Sequence, residues 1–222
     1  MPLAIFDLDN TLLCGDSDYL WGQYLVELGV VDGATYEAAN AQFYADYKAG
    51  RLDIEAFLAF ALRPLRENPL EALLAWRAEF MASRIEPLVG RPAQALVESH
   101  RRAGDTLLVI TATNSFVTAP IAARFGIPHL IATEPERNAA GFTGRVAGTP
   151  AFRDGKVARL TQWLDEHGGS LQGSHFYSDS NNDLPLLERV DNPVAVDPDP
   201  LLAAVASARG WPVISLRGSA PC

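Results

Sequence analysis

Apolar residues follow two rhythms along this chain. An apolar strand begins almost at Met1, runs through Ile5 and Phe6, and leads straight into two aspartates, Asp7 and Asp9, spaced by one residue. Because strand side chains alternate, that spacing sends Asp7 and Asp9 toward one site while Leu8 turns into the core. Past Cys14 the rhythm becomes helical, with Tyr19, Leu20, Tyr24, Leu25 and Leu28 on one stripe and Gly29 as a stop. Further helices are expected over residues 33–49, 53–65 and 69–84, with breaks at Gly50, Pro64 and the Asn68-Pro69 pair.

Strand and helix then alternate. The pattern predicts a helix over 92–103, a strand over 106–110, a helix over 116–125 and a strand over 129–132. A hairpin arm near 141–147, a helix over 154–167 and strands at 175–177, 193–196 and 212–215 complete it. Such alternation is the signature of a parallel sheet. The expected fold is a doubly wound, Rossmann-like α/β domain built from residues 1–13 and 86–222, with residues 14–85 inserted as a helical cap.

Composition narrows the class. With 48% hydrophobic and 20% charged residues in 222, the chain is ordinary for a globular protein, and its net charge of -9 disfavours nucleic-acid and anionic-membrane partners. Cys14 and Cys222 lie at opposite ends of the sequence, so a disulfide framework is not expected. Neither a signal-peptide pattern nor a membrane-length apolar run is visible, and a cytoplasmic protein, monomeric or homodimeric, is the expectation.

Open parallel sheets bind ligands beyond the carboxyl ends of their strands. Asp7 and Asp9 follow the first strand, Thr111, Thr113 and Asn114 follow a second, and Ser178, Asp179, Ser180, Asn181, Asn182 and Asp183 follow a third. Several carboxylates within a few ångströms need a cation, and an all-oxygen set without Cys or His suits Mg²⁺ better than zinc. Such an ion keeps positions for water and phosphate oxygens, which points to phosphoryl chemistry. Lys156 can add a second positive charge. Each residue has a plainer reading: Asp7 to Thr11 as a turn, Thr111 as a helix cap, Lys156 as a solvated helix residue, and Asp183 as the N-cap of a turn over 184–187.

Asp7-Leu8-Asp9-Asn10-Thr11, Thr111 after its strand, Lys156, and Asp179-Ser180-Asn181-Asn182-Asp183 resemble, in order, the four motifs of the haloacid dehalogenase superfamily of phosphohydrolases. The helical insertion is similar to the cap of its phosphoserine phosphatase branch. Gly15-Asp16-Ser17-Asp18, Ile110-Thr111-Ala112-Thr113-Asn114 and Tyr177-Ser178-Asp179-Ser180 are most similar to a group assigned as histidinol-phosphate phosphatases.

The resemblance implies that Asp7 attacks phosphorus and forms an aspartyl-phosphate, and that Asp9 is general acid and then base. It implies Mg²⁺ on the Asp7 side chain, the Asp9 carbonyl and Asp179, with Asp183 a ligand through water or an anchor behind the ligands. Thr111, the Ala112 N–H and Lys156 would hold the phosphoryl group, and Asn182 would order the metal loop. The partner is then a small phosphorylated metabolite, read by the cap. Asp16 matches the cap acid of phosphoserine phosphatases, but their cap arginine falls near Ala61, which favours a leaving group with no carboxylate. Histidinol phosphate fits that charge pattern: Asp16 and Asp18 would face its cationic groups, and Trp21 or Tyr44 would stack on its imidazole, unless Arg51 or Arg63 reaches the pocket. Alternatives are phosphoserine or a broader set of small phosphates as substrate, a dehalogenase, a metal-stabilised binding protein, and an aspartate phosphoacceptor signalling module, which would need no cap.

Overall fold

Residues 1–217 are described by the computed structural model of the protein. Its main sheet has six parallel strands in the order β3-β2-β1-β6-β7-β8. These are β1 (Leu3–Phe6), β2 (Thr106–Asn114), β3 (His129–Thr133), β6 (His175–Ser178), β7 (Asn192–Val196) and β8 (Val213–Ile214). β4 (Pro135–Asn138) and β5 (Gly141–Val146) form a separate antiparallel pair. The helices are α1 (Ser17–Glu27), α2 (Gly33–Lys48), α3 (Ile54–Ala61), α4 (Arg63–Glu67) and α5 (Leu70–Phe80) before β2. After them come α6 (Arg91–Ala103), α7 (Ser115–Arg124), α8 (Asp154–His167), α9 (Leu184–Leu187) and α10 (Pro200–Arg209).

β1 is central because both of its faces are apolar: Leu3 and Ile5 enter one core cluster, and Ala4 and Phe6 the other. A strand buried on both faces reads as a continuous apolar run, as this one does. Phe6 pairs with Val109 on β2 and with Tyr177 on β6, so β1 and β6 end side by side while β2 runs on to Asn114 beyond them. Beyond them lies the edge where chain direction across the sheet reverses, the usual ligand position in open α/β sheets.

The helical insert is not uniform. Trp21, Tyr24 and Leu25 of α1 and Leu73 and Phe80 of α5 share one apolar cluster with Phe6, Val109 and Phe116. α2 and α3 instead join through their own rings, Tyr36 on Phe60 and Phe43 on Phe57. The core therefore runs through the sequence boundaries at 13/14 and 85/86 rather than stopping there.

Four local features depart from the expected pattern. The helix expected over 53–65 is two helices, α3 and α4, because Pro64 lies in the first turn of a new helix, where its missing N–H costs nothing. β2 continues past Ile110 to Asn114, with a shift in its pairing to β3 across that stretch. The hairpin near 141–147 is β5, and its partner β4 carried too few apolar positions to be seen. α10 was not expected, although Asp199 caps it by accepting from the Leu202 N–H and Pro200 opens it. Among the described residues, no helix is long and apolar enough to cross a membrane. Cys14 is engaged rather than a free thiol, while Cys222 lies outside the described residues.

Candidate active site

The chain leaves β1 with the Asp7 N–H donating to the Tyr177 carbonyl at 2.9 Å. It then makes a wide turn over Leu8–Leu12 in which Asp9 is extended and Asn10 is left-handed, at φ 56°. Asparagine tolerates that region better than most residues, and here the conformation lets the Asn10 N–H reach the Gly15 carbonyl at 2.8 Å. The Arg217 guanidinium, 3.4 Å from Asp197, donates to the Asn10 and Leu13 carbonyls and fixes the turn from behind. Leu8 is fully buried, as the alternation requires.

Thr11 joins two distant motifs. Its hydroxyl donates to Asp179 Oδ1 at 3.1 Å, accepts from the Asp179 N–H at 3.1 Å, and stands 3.5 Å from Asp7 Oδ2. Lys156 joins another pair: only 2% exposed, its ammonium lies 2.8 Å from Asp7 and 2.8 Å from Asp183. Ser178 donates to Asp183 Oδ2 at 2.7 Å. Lys156 is thus no solvated helix residue, and Asp183 makes no side-chain capping bond to α9. Asn114 caps α7, which leaves Thr111 free of that duty.

Burial pushes the Asp7 carboxyl up to about 7, with Asp183 and Asp9 adding to the rise and Lys156 opposing it. Burial raises Asp179 as well, helped by the charges of Asp7 and Asp183 and opposed by the Thr11 hydrogen bond. Burial works against the Lys156 ammonium, yet the carboxylates of Asp183 and Asp7 outweigh it and hold the group above the usual lysine range. Among the described residues, no three Asp, Glu, His or Cys side chains stand ready as a cation cage. Lys156 and Thr11 separate the acids instead. The donor set itself suits a hard divalent cation, since Asp7 and Asp179 offer only carboxylate oxygens, with the Asp9 carbonyl two residues after Asp7.

Asp9 is held differently. The Ser17 N–H donates to one oxygen at 2.7 Å and the Thr113 hydroxyl to the other at 2.8 Å. Burial and the neighbouring Asp16 nevertheless raise this carboxyl to about 7, against those two hydrogen bonds. A carboxyl poised near neutrality can both give and take a proton. Thr111 accepts from the Thr113 N–H at 3.2 Å, which leaves its own O–H to donate elsewhere.

Asp7, Asp9, Thr111 and Thr113 floor a cavity roofed by α1, α2 and α3, with Lys156, Asp179 and Asp183 behind that floor rather than lining it. Asp7, Asp9, Thr111 and Ala112 line it from the sheet side, and Asp16, Asp18 and Tyr44 from the helical side. Asp16 is the N-cap of α1, accepting from the Asp18 and Tyr19 N–H groups through one oxygen. Among the described residues Asp18 accepts no hydrogen bond; burial, with Asp16 and Asp9 nearby, holds its carboxyl well above the usual range. Trp21 does not reach the cavity. It is 2% exposed because it completes the apolar cluster, against Tyr24, Phe80 and Phe116, so it is a packing residue and not a stacking platform.

Among the described residues no lysine or arginine lines the cavity itself, although the Lys48 ammonium stands 4.5 Å from the centre of the Tyr44 ring and its charge opposes the rise of Asp16. Arg51 pairs with Asp46 and Arg63 with Glu67 at exposed positions, and Ala61 is buried. Sequence reasoning missed Tyr19, Asn40, Phe43 and Tyr47 as lining residues, because a helical stripe does not say which side faces a ligand. It also missed Thr11, Ser17 and Arg217 as supports.

A family model for haloacid dehalogenase-like hydrolases matches residues 4–188. The chain belongs to that family. Among its relatives it is 49% identical over 219 residues to a histidinol-phosphatase of Neisseria meningitidis, covering 97% of this chain and 99% of that one. A solved protein of unknown function from Bordetella pertussis is 47% identical and superposes with a TM-score of 0.92, covering 97% and 99%. A phosphoserine phosphatase solved as a phospho-aspartyl intermediate analogue shares the fold, at 17% identity and a TM-score of 0.71 over 97% and 93%. Phosphatases of the haloacid dehalogenase-like family are generally Mg²⁺-dependent.

Proposed function

We propose that this haloacid dehalogenase-like hydrolase is a phosphomonoesterase whose substrate is histidinol phosphate. Two supports carry the reading: 49% identity to the Neisseria histidinol-phosphatase along nearly the whole chain, and a cavity lined by four carboxylates and, among the described residues, by no lysine or arginine. A leaving group with an ammonium and an imidazole meets favourable charge there, whereas one with a carboxylate meets repulsion.

In this reading Asp7 attacks phosphorus, and the P–O bond to the leaving alcohol breaks as the aspartyl-phosphate forms. Asp9, 2.8 Å from the Thr113 hydroxyl, gives its proton to the departing oxygen and then takes one from the water that releases phosphate. The Thr111 hydroxyl and Ala112 N–H hold phosphoryl oxygens, while Lys156 carries charge shared between Asp7 and the phosphoryl group. Asp7, the Asp9 carbonyl and Asp179 would hold Mg²⁺, with Asp183 behind them orienting Lys156. The ion offsets the repulsion between an anionic nucleophile and an anionic phosphate. Residues 14–85 serve as the cap over a core of 1–13 and 86–222, excluding water and contacting the leaving group.

Phosphoserine is the second reading, favoured by the shared fold with phosphoserine phosphatases and opposed by the missing arginine. Phosphate release over a panel of histidinol phosphate, phosphoserine, sugar phosphates and nucleotides, with and without EDTA, decides between them. Magnesium-dependent release led by histidinol phosphate is expected; release led by phosphoserine, or no release at all, would refute the proposal.

A further inference from the structure

The carboxyl end of α2 is gripped by the loops that carry the catalytic groups. Asn182 donates through its amide to the Tyr47 carbonyl at 3.1 Å, and its amide oxygen accepts from Arg153 Nε at 3.1 Å. Arg153 in turn donates to the Gly50 carbonyl and lays its guanidinium 5.0 Å from the centre of the Phe152 ring. The last carbonyls of a helix have no partner within it, and a cation there is favoured by the helix dipole. At this end the Tyr47 carbonyl accepts from the Gly50 N–H at 3.0 Å, so Asn182 adds a bond to it, and Arg153 takes the Gly50 carbonyl just beyond the helix.

Three further observations single out the junction. Arg153 has φ 51° and ψ -122°, a backbone state that is strained for a non-glycine residue and persists only where surroundings hold it. Gly50 has φ 66°, and a Cβ there would come 3.2 Å from Asn181 Oδ1, so the approach needs glycine. Asn40, Phe43, Tyr44 and Tyr47 on α2 line the cavity, while Arg153 stands three residues before Lys156 and Asn182 one before Asp183.

We propose that Arg153 and Asn182 form a latch that positions the α2 wall of the cavity against the Lys156 and Asp183 pair. Arg153 is a positioning residue: it touches no reacting atom and acts through α2. Losing it frees the Tyr47 end of the wall and weakens the grip on the leaving group, while chemistry on the floor continues. This rests on the cavity being the substrate pocket but not on the identity of the leaving group.

The test uses R153A, R153K and, from the other side, G50A. Amide hydrogen exchange in residues 47–53 is measured beside kcat and KM for histidinol phosphate and for p-nitrophenyl phosphate, whose leaving group is small and uncharged. In R153A, exchange in 47–53 should rise at least about tenfold, the worth of one or two hydrogen bonds to a charged group. KM for histidinol phosphate should rise by a similar factor, with kcat for the aryl phosphate within about threefold of the parent. R153K should recover part of the loss, G50A should reproduce it, and R153A/G50A should be little worse than either single variant, since both break one contact. Unchanged exchange in 47–53, or equal losses on both substrates, would overturn the latch. If the parent hydrolyses the aryl phosphate but not histidinol phosphate, the substrate reading fails while the exchange result still decides the latch.

Discussion

The floor and the wall of the cavity treat their charges in opposite ways. On the floor, Asp7 and Asp183 share Lys156, Asp179 is bonded to Thr11, and Asp9 accepts from both Ser17 and Thr113. Almost every acid there has a partner inside the protein. On the wall, among the described residues, Asp18 has none and Asp16 accepts through a single oxygen, with the Lys48 ammonium over the Tyr44 ring the one cation nearby and no lysine or arginine lining the pocket itself. Balanced charge fixes geometry, which suits chemistry common to any phosphomonoester. Unbalanced charge near a cavity costs free energy until a ligand brings the opposite sign, which suits selection.

Changes to the floor should therefore injure all substrates, and changes to the wall only cationic ones. The largest effect is expected from Asp7→Asn, since an amide is a poor nucleophile and a poor metal ligand. Phosphate release should fall to background for histidinol phosphate and p-nitrophenyl phosphate alike; parent-rate hydrolysis of the aryl phosphate would exclude the covalent route. Asp9→Asn should lower kcat by roughly 10²- to 10⁴-fold for histidinol phosphate, the usual worth of general acid and base catalysis. Its loss should be smaller for the aryl phosphate, whose leaving group needs less protonation, and metal affinity followed by calorimetry should change little.

Asp18→Asn should raise KM for histidinol phosphate by roughly 10- to 100-fold, the range for one hydrogen bond to a charged group, with aryl phosphate kinetics nearly unchanged. Equal effects on both substrates would make Asp18 a structural acid.

The smallest effect belongs to the far edge of the sheet. Burial lowers the pKa of His175, as does the neighbouring His100, while Asp105 opposes the shift; Tyr177 stacks on the ring. The native imidazole thus resists protonation more than the unfolded one, whose pKa is about 6.5. Above that pH both are neutral and nothing is gained or lost; as pH falls below it, the unfolded state takes up the proton first and stability declines. His175→Gln should flatten this acid limb in thermal melts from pH 7 to 5 and leave kcat at neutral pH unchanged.

The floor was legible in the sequence because it is written in short runs beside strand ends. Asp7 and Asp9, Thr111 and the 179–183 run each sit where one apolar stretch stops, so locating the strands located the acids, whereas Lys156, in the first turn of α8, was singled out only by the resemblance to the family motifs. The wall was half legible. Asp16 and Asp18 lie in the same run as the first motif and were found, whereas Tyr47 and Asn40 depend on how α2 rotates against α1 and α3, which periodicity does not fix. Trp21 shows the cost: an aromatic near the motif looked like a platform, but its stripe packs toward Phe80 and Phe116. Arg217 was invisible for another reason, since a residue more than two hundred positions away holds the Asn10 turn. β4 and α10 escaped because one is short and polar and the other begins where Asp199-Pro200 reads equally well as a turn.

The most direct test of the charge contrast is the ratio of kcat/KM for histidinol phosphate to that for phosphoserine, measured with Mg²⁺ at neutral pH and low salt. A cavity lined by acids predicts a ratio above about 10², because like charges brought together in a pocket cost several kcal/mol. A ratio near one, or a preference for phosphoserine, would contradict it.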